Sequence, residues 1–190
     1  MTERAAREQQ RPWALHTALW AIGGWFFLTV VISYIAGANF MVLKPDHLPR
    51  AEDAFGSMIH SQDGTLGLRY LAGEINRHLF TVYGWTQLVL GLIALVSLHL
   101  SGVRAPFSKL LVFLCWVSTL VFLLYLVPQI VQVGMKLDLV PKEPLTPDRE
   151  AFDGLHQMSV GVEVGKLALL ALVSVVLLGA GRRTARSAAE

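Results

Sequence analysis

The chain has 190 residues, 54% of them apolar and only 16% charged, with a mean hydropathy of +0.51, whereas an average soluble domain carries about 25% charge. These figures exclude a soluble globular domain and a disordered chain, and a lone cysteine, Cys115, excludes a disulfide-stapled module. The net charge of +2 is too small and too scattered for a nucleic-acid surface, which leaves a small integral membrane protein with the lipid bilayer as its first partner.

A hydrocarbon core about 30 Å thick needs roughly 20 apolar residues of helix. After a charged head, residues 1–12, the first such run is 13–37. It is rich in Trp and Phe and longer than the roughly 7 to 15 residues of a secretory signal core, so it reads as a retained anchor. The connection 38–77 carries its own helical signals. Pro49 opens a segment, Arg50 to His60, in which Ala54, Phe55, Met58 and Ile59 share one face. Asp63-Gly64 reads as a turn, after which Leu66 to Ile75 resumes an amphipathic pattern that can run straight into the second span. The second span is 78–100, Ser101 to Pro106 is a tight turn, and the third span is 107–134. The connection 135–154 holds three prolines and five acids and is expected to be extended and solvated. The fourth span is 155–180, followed by a charged tail, 181–190.

The pattern predicts an all-α integral membrane protein, a four-helix transmembrane bundle over 13–180, with a short amphipathic outer-surface helix between spans 1 and 2. Four spans put both termini on one side. That side carries +5 and the opposite side −3, with arginines tight against the terminal spans. Basic residues stay in the cytoplasm, so the expectation is a multi-pass protein of the bacterial inner membrane with cytoplasmic termini.

Ionisable residues inside a bilayer are costly and mark a functional site by default. In the fourth span His156, Ser159, Glu163 and Lys166 are spaced by three, four and three residues, which places them on one helical stripe. With a rise of ~1.5 Å per residue, Glu163 and Lys166 fall near the bilayer centre. The simplest reading is a structural ion pair. A buried pair needs further hydrogen-bond partners, and Thr86, Gln87, Tyr125 and Gln129 lie at similar depth, with Pro128 freeing a backbone acceptor nearby. The predicted site is therefore an outward-facing polar pocket of His156, Ser159, Glu163, Lys166, Gln87, Tyr125 and Gln129, suited to binding a solute or passing protons. Gly161 and Gly165 form a G-x-x-x-G face for close helix packing, within the chain, in a homo-oligomer or in a larger membrane complex. Gly23-Gly24 is a possible counterpart.

His16 and His99 near the inner boundary, and His78 and His156 near the outer, match in number the axial ligands of two b-type haems. Their position at span ends, where histidine is cheap to place, makes haem the weaker reading, and no cofactor or metal is expected. No G-x-S-x-G, phosphate-binding glycine loop, H-E-x-x-H or C-x-x-C occurs. The expected roles are therefore non-catalytic: solute binding or a transport-associated function, an accessory subunit of a larger complex, or a haem electron-transfer subunit.

Several short pieces in order carry a family likeness. They are Phe40 to Pro49, Ala54-Phe55-Gly56, His78-Leu79-Phe80-Thr81-Val82-Tyr83, Leu126-Val127-Pro128-Gln129, and Phe152-Asp153-Gly154-Leu155-His156-Gln157-Met158-Ser159. With these the chain resembles the small four-helix membrane domains of unknown function that include eukaryotic transmembrane protein 205. The chain departs from that pattern at Ser61 to Glu74 and at the charged pair Glu163 and Lys166. The resemblance implies the four-helix fold and draws attention to His156 and Ser159, without implying an activity.

Overall fold

A computed structural model describes residues 11–103, 105–141 and 143–189, with side chains described to residue 179. The first ten residues of the head, Arg104, Lys142 and the side chains of the tail lie outside the described residues. The architecture is all-α, and no strand occurs among the described residues. Its helices are α1 (Pro12–Val42), α2 (Pro49–Phe55), α3 (Gln62–Leu100), α4 (Pro106–Lys136) and α5 (Pro147–Ala189). Four of them, all but α2, are long and apolar enough to cross a membrane.

Two helices start earlier than the hydrophobic pattern indicates. The Asp63-Gly64 pair is not a turn but lies in the first turn of α3, because Ser61 caps that helix. Its hydroxyl accepts the Gly64 N–H at 3.1 Å and its carbonyl the Thr65 N–H at 3.0 Å. Asp63 then complements the helix dipole, and a Cβ at Gly64 would sit 2.8 Å from the Ile59 carbonyl oxygen. Similarly, the connection after α4 ends at Thr146, which accepts the Arg149 N–H on its hydroxyl at 3.3 Å, with Pro147 opening α5 and Asp148 and Glu150 in its first turn. The 39 residues of α3 rise ~58 Å, so its polar first half extends well past what a bilayer core requires. The segment read as one helix over Arg50 to His60 is shorter: α2 ends at Phe55, and Gly56, at φ +57°, opens a separate 3-10 turn, Gly56–His60.

The chain divides into two compact units. The first comprises residues 1–29, 85–121 and 162–190. Its core is contributed by all four long helices: Ala18, Ala21, Ile22 and Trp25 from α1, Ala94 and Leu98 from α3, Leu111, Val112 and Cys115 from α4, and Leu170, Val173 and Leu177 from α5. The three- and four-residue spacings place each set on one helical stripe. Gly91 is required here, since a Cβ would lie 2.6 Å from Trp116 Cδ1 and 2.8 Å from Trp25 Cη2. At the turn after α3, Gly102 takes the left-handed φ of +70° and the Ser101 hydroxyl donates to the Leu98 carbonyl at 2.9 Å.

The second unit comprises residues 30–84 and 122–161. Polar clamps join its helices. Asn39 Nδ2 donates to Asn76 Oδ1 at 2.7 Å, and Asn76 Nδ2 donates to the Ala36 carbonyl at 3.0 Å. Arg77 pairs with both Glu74 and Asp138. Phe80 and Tyr83 each pack edge-to-face with Phe122 at centroid distances of 6.4 and 6.0 Å. Within α4, Phe122–Leu126 forms a π turn. Pro128 explains it: the proline lacks an N–H and its ring would meet the carbonyl of Leu124 four residues back, and the wider turn relieves that conflict.

Candidate functional site

The inward stripe of α5 runs Glu163, Lys166, Leu170, Val173 and Leu177, so the charged pair occupies positions that the helix otherwise gives to core residues. On α3 the corresponding stripe runs Gln87, Gly91, Ala94 and Leu98, and on α1 it runs Ala18, Ala21, Trp25 and Thr29. Backbone geometry alone therefore brings Lys166, Gln87 and Trp25 together in the first unit.

Lys166 Nζ donates to Glu163 Oε1 at 2.7 Å and also to Gln87 Oε1. The same Gln87 oxygen accepts from Trp25 Nε1 at 2.8 Å. The ammonium lies 5.9 Å from the centroid of the Trp25 ring, within the range of a cation–π attraction. The Lys166 side chain has no exposed surface and that of Glu163 retains 12%, while Gln87 is fully buried. Gln87 thus uses its carbonyl oxygen twice. Its Nε2 is buried and meets no acceptor among the described residues, and an orphaned buried donor costs about 1–3 kcal/mol.

The other predicted residues lie elsewhere. Thr86 follows the helical rotation onto the uncovered face of α3. In the second unit, Ser159 is buried with its hydroxyl donating to the His156 carbonyl at 2.9 Å. His156 is exposed, its ring stacked on Phe152 at 6.2 Å. Tyr125 is exposed and Gln129 half-buried. Gly161 and Gly165 have open space around them, with no atom within 4 Å of an added Cβ. His16, His78 and His99 are exposed, and no group of three or more His, Cys, Asp or Glu side chains among the described residues is arranged to hold a metal ion.

Trp25 is the member of the cluster that sequence reasoning left as an anchor or core residue. Its position seven residues after Ala18 and three after Ile22, on the buried stripe of α1, is the signal that could have assigned it.

Residues 64–137 match the model of a family described as a domain of unknown function (DUF4149). The matched segment is similar to that family and contains nearly all of α3 and all of α4, with Gln87 and Cys115, while Trp25, Glu163 and Lys166 fall outside it. No curated protein and no solved structure matches the chain.

Proposed function

We propose that this chain is a small, non-catalytic multi-pass membrane protein whose working site is the cluster of Trp25, Gln87, Glu163 and Lys166, and that the site binds a small polar solute or assists its passage. The observation that carries this reading is an enclosed lysine, held by Glu163 and Gln87 on a helical stripe that continues with Leu170, Val173 and Leu177, next to a buried amide donor with no acceptor among the described residues. A purely structural role accounts for it poorly. Desolvation of a buried ion pair offsets much of its Coulombic gain, and packed apolar residues of similar volume often stabilise as well or better. A structural polar cluster would also have its donors satisfied. The likeness to the four-helix family of transmembrane protein 205 belongs to the same proposal and adds no activity to it.

The test is chemical access to Glu163. The full chain in proteoliposomes is treated with a water-soluble carbodiimide and a glycine ester, and the modified peptide is read by mass spectrometry. A working site gives modification of Glu163 in the folded protein from one side of the membrane. Modification only after unfolding assigns the pair to structure and overturns the reading.

A further inference from the structure

Within the cluster, Lys166 is enclosed completely, whereas Glu163 keeps part of its side chain uncovered. Glu163 is therefore the member of the pair that protein leaves partly uncovered, and Lys166 the enclosed charge behind it. The Gln87 amide nitrogen is bonded to the same carbon as the oxygen that Lys166 grips. Two donors, the Lys166 ammonium and Gln87 Nε2, consequently lie within reach of one small acceptor, and only the ammonium already has a carboxylate on it.

Charge balance selects the kind of acceptor. A neutral solute would have to displace Glu163 from Lys166 and leave two separated charges in a medium of low polarity. An anion entering alone would give the site a net charge of −1. An anion that arrives with one proton leaves the net charge at zero, the condition under which a buried site is least costly. Resting on the site reading above, we infer that the solute is a small monovalent anion and that Glu163 is its proton-dependent stand-in. A proton from water adds to the Glu163 carboxylate, the neutral acid releases Lys166, and the anion replaces it on Lys166 Nζ while accepting from Gln87 Nε2 as well. No other bond forms or breaks. Groups described around the pair include Gln87 from α3 and the Trp25 indole from α1, and the titratable thiol of Cys115 on α4 lies in the buried core that also holds Trp25.

The inference is tested by calorimetric titration of the full chain in phosphatidylcholine nanodiscs with chloride and with formate, at several pH values and in buffers of different ionisation enthalpy. The expected wild-type result is tighter binding as pH falls, up to about tenfold per unit while Glu163 remains ionised, with one proton taken up per anion. Glu163→Gln, which mimics the protonated acid, binds without pH dependence or proton uptake, and its unfolding temperature rises on adding formate. Lys166→Met binds neither anion, and its folding is checked by the cooperativity of its unfolding. Binding by the wild type that is independent of pH, or binding by Lys166→Met equal to the wild type, overturns the inference. Failure of both anions to bind a protein whose Glu163 still reacts with carbodiimide overturns the anion assignment and leaves the site itself standing.

Discussion

Partners of Lys166 include a carboxylate, an amide oxygen and an aromatic face, which are not equivalent. Removing Glu163 leaves a buried cation that Gln87 can only partly satisfy, and single removal of a buried ion-pair partner costs about 3–5 kcal/mol. Glu163→Leu is therefore expected to be strongly destabilised in detergent unfolding experiments, and Lys166→Met to be destabilised similarly because it strands Glu163. Trp25→Phe keeps the aromatic face but loses the 2.8 Å bond to Gln87, and a cost of about 1 kcal/mol is expected. Glycines give a sharper contrast. Gly91→Ala forces a Cβ into Trp116 and Trp25, an overpacking that costs about 1–3 kcal/mol. Gly165→Ala meets open space and is expected to be neutral or slightly stabilising through helix propensity. Equal losses for the two substitutions would contradict this packing.

At the level of elements, the apolar runs were legible in the sequence and the helix ends were not. Hydropathy marks where a helix can sit in lipid, but α3 continues through the amphipathic segment Leu66 to Arg77 and α5 through the polar segment Pro147 to Gly154, and the caps set where each begins. The residues that cap them, Ser61 before Gln62 and Thr146 before Pro147, stand beside stronger competing signals, the Asp63-Gly64 pair and the three prolines of the last connection. Ser61→Ala and Thr146→Ala are each expected to cost about 1 kcal/mol. Hydrogen exchange should quicken in the first turn of α3 or α5 respectively and stay unchanged at Gln87 and Lys166; exchange that remains slow in both first turns would show that the caps do not set these boundaries. The candidate site was legible in part. Spacing alone put Glu163 and Lys166 on one stripe, and depth suggested Gln87. Trp25 was missed because an aromatic residue in a span has many ordinary reasons to be there. Which of Gln87, Tyr125 and Gln129 faces the pair depends on helix rotation, which hydropathy does not report.

For the whole molecule, the four helices long and apolar enough to cross a membrane are taken as four crossings, which places both termini on the same side. The basic clusters beside the terminal spans assign that side to the cytoplasm in the account proposed here. Alkaline phosphatase fused after residue 190 is then expected to be inactive in a bacterial host, and the same enzyme inserted in the 137–146 connection to be active; the opposite pattern would reverse the orientation and with it the side from which Glu163 is reached. The central claim is that the chain keeps its buried charge pair for use rather than for stability. It is tested most directly by the unfolding free energy of the double variant Glu163→Leu/Lys166→Met in nanodiscs, compared with the wild type and both single variants. The account predicts that the double variant recovers the losses of the singles and folds at least as stably as the wild type, while losing solute-dependent stabilisation. A double variant that remains several kcal/mol less stable than the wild type would show that the pair holds the fold together, and would contradict the claim.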